Sequence, residues 1–535
     1  MPVGTPRFAR SIGGLYSLNT LGAIFGSLAA AFVIIPAVGI RNGVLLTALV
    51  NLATALLVLR SDPRLGATER WTGPSLGLLV LLLAFFLFPK TQFFVKSAIY
   101  QEQFVRFGDR PEVLFYAENA DATVTVLRDG DGVKRLYCGH ERGGKRLPLG
   151  RPFSPSNRPR AAPAAPQPPN GALVVGFGMG RTSRTITRYG VVVDAVEISP
   201  GVVEAARRFF SDANEGVLDS PLLRLHINDG RNFILTTSHR YDMISTGIIH
   251  PLVSSGSSAI YSKDFYELCR AILSENGVMS QWVPLHRLPL PYLKTIVRTF
   301  LEVFPHTTVW YKYTPDFLIL IGTKHPQQID IQDWMRRTTD PTIDAELAKD
   351  DLDTWSLLDS FLMGEEAARR FAAEAPLHTD DRPILEFFRG ELGGITTTQV
   401  ENIRALKEFR EPVFSRLSNF ASAQQRQEVR QRLERYFEAT QHLIEGQIAF
   451  AALQYDSALQ HFRLAARTNP EDPTIGYHQA ETTRIVLEEQ ASAFSALIDE
   501  LRTQLQANPD DVQTLINLGL GLPERRPSGQ RHCCL

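Results

Sequence analysis

Cysteine is scarce in this chain: four in 535 residues, Cys138, Cys269, Cys533 and Cys534. They offer neither a metal-ligand spacing nor a disulfide framework, which fits a reducing compartment and leaves no metal to expect. The terminal Cys533-Cys534-Leu535 has no cysteine four from the end, so the prenylation pattern is unmet, and 521–535 reads as an unstructured tail. An excess of one charge is lacking too. With 56 basic and 57 acidic residues the net charge is -1, and no electrostatic footprint for nucleic acid is visible.

Apolar runs, by contrast, crowd the N-terminus. Segments 12–40, 44–59 and 76–88 are rich in Leu, Val, Ala and Phe. The first is long enough to cross a bilayer with tilt, the second is near the usual span, and the third is short. They predict transmembrane helices within 1–100, and so an integral membrane protein with the lipid bilayer as a partner. Gly22 and Gly26, with Ser27, Ala29 and Ala30, form a small-residue face for close helix packing, and Asn19 suits a hydrogen bond to a neighbouring helix. Arg7, Arg10, Arg41, Arg60 and Lys90 flank both sides, so charge gives little guidance on orientation.

Further on, Asp-Gly pairs at 129–130 and 131–132 predict a β-hairpin within 110–140. The stretch 145–170, dominated by Pro, Ala and Arg, reads as a linker. The organising segment is 172–197, which reads as strand, glycine turn, helix and strand ending on Glu197. Gly176, Gly178 and Gly180 let the backbone turn tightly and approach a ligand, and the carboxylate about 20 residues on suits a pair of ribose hydroxyls. The third glycine comes one residue sooner than in GxGxxG, so an adenosyl ligand of the S-adenosylmethionine type is favoured over a pyrophosphate.

Strands at 222–227, 242–245 and 277–283 alternate with helices at 202–210, 262–273 and 291–304, followed by a hairpin of 307–312 with 317–323. The pattern predicts an α/β domain over 171–325, a mostly parallel sheet with one reversed edge strand. Ligands of such sheets sit outside the carboxyl ends of the strands. There Asp229, before Gly230, suits either an adenine amino group or the N-cap of the next helix.

Segment 171–323 resembles the catalytic domain of spermidine synthases, the polyamine aminopropyltransferases. The resemblance rests on GFGMG at 176–180, VEISPGVVEAARRFF at 196–210, INDGRNFI at 227–234, YDMI at 241–244, IYSKDFYELCRAIL at 260–273 and GVMSQWVPL at 277–285. YSLNTLGAIFGS at 16–27 and TDDRPILEF at 379–387 resemble the branch fused to transporter-like membrane helices. This implies a Rossmann-like methyltransferase fold, a donor that is S-adenosylmethionine or its decarboxylated form, an amine acceptor, and Tyr261 and Gln281 as pocket residues. Such donors are made in the cytosol, so the sheet is expected on the cytoplasmic side.

The departures bear on chemistry. Aminopropyl transfer has a deprotonated amine attack the carbon beside a sulfonium, and carboxylates hold the acceptor and take its proton. Where the family has D-x-x-D-P after the fourth strand, this chain has Gly247 and His250 ahead of Pro251, and Met179 stands in place of the glycine loop's aspartate. His250, with an unperturbed pKa near 6.5, is the remaining general-base candidate, a structural histidine being the alternative. Methyl transfer needs no carboxylate pair, and a non-catalytic ligand sensor or membrane scaffold is a third reading.

Beyond a helical extension at 326–430, the region 431–520 reads as tetratricopeptide-like. Gly446, Tyr455, Ala458, Phe462, Ala465 and Pro470 have the spacing of one helix pair, and Asn508-Pro509 echoes Asn469-Pro470. This tail is expected either to bind a protein partner or self-associate, or to cap the core.

Overall fold

The computed structural model describes residues 6–61, 66–87, 112–119, 122–128, 132, 134–138, 141–143, 171–247, 249–252, 256–311, 317–388 and 395–507. The linker expected at 145–170, the tail at 521–535 and Asn508-Pro509 lie outside the described residues.

Two N-terminal helices, α1 (Pro6–Ala29) and α2 (Ile35–Ser61), are joined by a π-helical turn, Ala30–Ile34, and a third, α3, spans Ala67–Leu87. The backbone stays helical through that turn and breaks at Gly39 (φ 79°, ψ 165°), which kinks the chain just before Arg41, close to the boundary between the first two apolar segments. Stretches Tyr16–Ile34 and Ala37–Ser61 are long and apolar enough to cross a membrane, whereas Trp71–Leu83 is shorter. Tyr16, Phe25, Phe32, Leu57 and Phe86 are exposed. Among the described residues the face of Gly22 and Gly26 meets no other helix, since a Cβ added at either would find nothing within 4 Å, and Asn19 is likewise exposed.

Strands β1 (Glu112–Glu118), β2 (Thr123–Arg128), β3 (Lys134–Cys138) and β4 (Glu141–Gly143) form a four-stranded antiparallel sheet, larger than the expected hairpin.

The central sheet is built from β5 (Gly171–Val175), β6 (Val192–Glu197), β7 (Leu223–Ile227), β8 (Tyr241–Thr246), β9 (Leu273–Pro284), β10 (His306–Trp310), β11 (Phe317–Thr323) and, beyond a short β12 (Ile329–Asp330), β13 (Phe361–Met363). Its order is β13-β10-β11-β9-β8-β5-β6-β7. Strands β9, β8, β5, β6 and β7 run parallel, and chain order reverses between β8 and β5. This is the Rossmann-like methyltransferase arrangement. Two strands are reversed rather than one: β13 pairs antiparallel with β10 at the edge, and β11 inserts antiparallel between β9 and β10. A hairpin returning from β10 can fill the gap beside β9, which local sequence pattern does not reveal.

Apolar strands buried on both faces explain the near-continuous Val, Ile and Leu of β5 and β6. Helices α4 (Arg181–Thr187), α5 (Pro200–Phe209), α6 (Gly230–Thr236), α7 (Lys263–Ile272) and α8 (Leu290–Val303) follow the strands. On α5, Val202, Ala205 and Ala206 are buried while Arg207 and Arg208 face solvent, the spacing of an amphipathic helix.

In the C-terminal region, the long helix α9 (Ala423–Ala451) packs Ile444 and Ile448 into the main core and Val429 and Leu433 into the cluster under β13. It pairs with α10 (Tyr455–Thr468), where Phe462 lies so close to Gly446 that an added Cβ would sit 2.3 Å from the ring. The next element is one helix of 35 residues, Pro473–Ala507, rather than a second short pair.

Candidate active site

At the carboxyl end of β5 the chain turns through Gly176, Gly178 and Gly180, all with positive φ (88°, 55° and 83°). Gly180 is required twice over, because an added Cβ would also lie 2.5 Å from the Phe177 ring packed beneath the turn. Gly176 N–H donates to the Val196 carbonyl at 2.8 Å, and Gly247 N–H donates to the Val175 carbonyl at 2.7 Å. The turn is thus fixed by β6 on one side and by the loop after β8 on the other, at the point where strand order reverses.

Glu197, the last residue of β6, reaches under this turn. One carboxylate oxygen accepts from Phe177 N–H (2.9 Å) and Gly178 N–H (3.2 Å), and the other from Ser199 N–H (3.1 Å). The side chain is buried, and burial pushes its carboxyl above the usual range, offset in part by those amide donors. The small sheet roofs this corner: Val124, Val126 and Leu136 pack on Val202 and Ala205 of α5 and on Phe210 just beyond it, and Asn119 Nδ2 lies 3.4 Å from Ser199 Oγ. Met179 packs against the same apolar cluster. A thioether held there offers no partner to an ammonium group.

After β7, Asp229 is the N-cap of α6, its carboxylate accepting from Asn232 N–H at 2.9 Å. Gly230 lies against Val175, where an added Cβ would sit 2.5 Å from a methyl group. After β8, Gly247 sits over the turn; an added Cβ would be 3.1 Å from the Val175 carbonyl oxygen and 3.3 Å from that of Gly176.

The general-base expectation for His250 does not fit its surroundings. The ring is buried, Nδ1 accepts from Leu252 N–H (3.2 Å) and Nε2 donates to the His286 carbonyl (2.9 Å). Burial pushes its pKa down to about 4. A neutral ring with both nitrogens engaged by backbone latches the loop after β8 to the loop after β9. Tyr261 and Gln281 are equally enclosed. Tyr261 Oη donates to the Ile249 carbonyl (2.5 Å), and Gln281 donates through Nε2 to the Trp282 carbonyl (2.9 Å) and accepts from the Tyr266 hydroxyl (3.3 Å). Both are buried beneath the strand ends.

The structure therefore gathers Gly176, Gly178, Gly180, Glu197 and Gly247 around the end of β5. Asp229 and Gly230 lie alongside; His250, Tyr261 and Gln281 support the loops from below. Sequence reasoning did not place the segment 378–386 here, although its motif was visible. Asp380 forms a two-pronged ion pair with Arg231 at the start of α6, and Glu386 accepts from Gly256 N–H and the Ser258 hydroxyl. More than a hundred residues separate these partners, so no local signal joins them.

Residues 162–323 match the spermine/spermidine synthase domain. Polyamine aminopropyltransferases of Saccharolobus solfataricus (33% identical over 153 residues, 28% of this chain and 51% of that protein) and Saccharolobus islandicus (32% over 154 residues, 28% and 51%) are among the similar proteins. The chain spans about half the length of these curated relatives. The crystal structure of spermidine synthase from Thermotoga maritima aligns over 52% of this chain and 84% of that one at 17% identity, with a TM-score of 0.34. At that score the likeness adds nothing to the topology described above.

Proposed function

We propose that this chain is a membrane-anchored, spermidine synthase-like transferase that binds an S-adenosyl donor and passes its aminopropyl group to an amine. The observation that carries this reading is Glu197 closing on the glycine turn at the end of β5, inside the segment that matches the synthase domain. The donor's ribose hydroxyls would replace the Phe177 and Gly178 amides as donors to Glu197, and Asp229 would take the adenine amino group beside its capping bond. In the reaction the amine lone pair forms a bond to the carbon next to the sulfonium, the carbon–sulfur bond breaks toward sulfur, a neutral thioether leaves, and the new ammonium loses its proton. His250 is engaged as a latch, so the reading gives it no part in that proton's removal.

The surroundings fit the adenosyl half of the donor better than the aminopropyl half. Met179 is packed into an apolar cluster, and Gly247 is pressed against backbone carbonyls where the family carries an acid. Those two positions favour, as a second reading, methyl transfer from S-adenosylmethionine to another acceptor.

Calorimetric titration of the full chain in detergent with both donors decides between the two, with Glu197→Ala as control. The aminopropyl reading expects the decarboxylated donor to bind more tightly, with affinity falling about tenfold or more in the variant. A preference for S-adenosylmethionine moves the assignment to methyl transfer, and failure to bind either donor refutes both.

A further inference from the structure

The segment 378–386 has two arms on the site. In one, Glu386 accepts from Gly256 N–H at 3.1 Å and from the Ser258 hydroxyl at 2.8 Å, while His378 Nε2 donates to the Ser258 carbonyl at 3.0 Å. Ser257 Oγ in turn donates to the His250 carbonyl at 2.9 Å, tying this loop to the latch below Gly247. In the other arm, Asp380 grips Arg231, the residue after Gly230, and its own N–H donates to Asp264 at 2.8 Å. The segment is also fixed to the core. Lys263 N–H donates to the His378 carbonyl (2.9 Å), His378 N–H donates to Thr299 Oγ1 (3.0 Å), and Leu385 is fully buried.

We propose that 378–386 is a strap that positions the two loops of the transfer site separately: Glu386 sets the loop after β8, on the acceptor side, and Asp380 sets the start of α6, on the adenine side. Both are positioning residues, since they touch loop atoms rather than donor or acceptor. The inference rests on the transferase reading for what each loop contacts. The coupling itself rests on contacts alone, and at the tip of each arm a carboxylate accepts from a neutral or cationic donor. Because the two arms end on different loops, their loss has different signatures.

The test uses the full chain in detergent and measures amide exchange, donor affinity and steady-state kinetics with a diamine acceptor. Glu386→Ala is expected to raise exchange at Gly256 and Ser258 and to raise acceptor KM about tenfold, with donor Kd changed less than twofold. Glu386→Asp is expected to recover part of that loss. Asp380→Asn is expected to weaken donor binding several-fold with acceptor KM little changed, and the charge swap Arg231→Asp/Asp380→Arg to restore it. Unaltered exchange at Gly256 and Ser258 in folded Glu386→Ala overturns the proposal. So does a parallel decline of donor and acceptor terms in both variants. A wild-type protein that binds donor but turns over no amine refutes the aminopropyl reading, and exchange and donor affinity still decide the strap.

Discussion

His250 illustrates what a single side chain does when its chemistry is spent on the backbone. The neutral ring links Leu252 N–H to the His286 carbonyl, and burial holds its pKa at about 4, below the 6.5 of an unfolded chain. The unfolded state therefore takes up a proton first as pH falls. Stability from this residue is complete above pH 6.5 and is lost progressively between about 6.5 and 4, on the order of 3 kcal/mol. Thermal melts across that range should show a steeper loss for wild type than for His250→Gln, and equal slopes would remove the latch. His378, also depressed by burial, adds to the same trend. The place of Glu197 beside the glycine turn was legible in the sequence, because a carboxylate at the end of β6 lies next to the end of β5, where the glycines turn the chain. The role of His250 was not. Its two partners are main-chain groups whose positions depend on loops at 252 and 286, and nothing in residue type encodes them.

At the scale of elements, alternating apolar strands and amphipathic helices gave away β5 to β8, β10 and β11 to within a residue or two, while β9 begins at Leu273, four residues before the expected start. The edge of the central sheet was hidden, because β13 joins from outside the glycine-turn domain as three residues, Phe361–Met363, too short to announce themselves. What secures that edge is a charge pair without solvent. Arg410 Nη2 donates to Asp359 at 2.9 Å, both side chains are almost wholly buried, the guanidinium lies 3.8 Å over Phe437 of α9, and Thr440 of the same helix donates to the second Asp359 oxygen. Asp359→Ala leaves the cation stranded and should cost about 3–5 kcal/mol in chemical unfolding, whereas replacing both partners with apolar residues should recover most of it. A loss under about 1 kcal/mol in the single variant would mean that α9 is not anchored there. The same helix bears on the tetratricopeptide expectation: the Gly446 and Phe462 contact is present, but α9 is built into the core, as a cap would be.

For the molecule as a whole, the N-terminal helices and the sheet domain follow opposite rules of burial. Around β5 to β11 most large apolar side chains are enclosed and only a few, such as Ile198, Ile227 and Leu235, are exposed, whereas all along the first helices large apolar side chains are exposed. Such an apolar surface requires a cover, and a bilayer fits the lengths of the two long spans. The proposed membrane anchoring, with the sheet on the cytoplasmic side where S-adenosyl donors are made, has a direct test: protease treatment of sealed inverted and right-side-out vesicles should degrade the sheet domain only when the cytoplasmic face is outward. Cleavage from the opposite face would contradict the orientation, and release of the chain by carbonate wash would contradict membrane spanning.

Gly247 has a consequence for anyone wishing to rebuild an acidic acceptor site here. The obvious edit restores the family's acid at this position, yet any side chain begins 3.1 Å from the Val175 carbonyl oxygen and 3.3 Å from that of Gly176. These are main-chain atoms of the central strand and its turn, with little freedom to retreat. Redesign has an order of operations: the end of β5 must be given room first, and only then does a carboxylate have somewhere to stand.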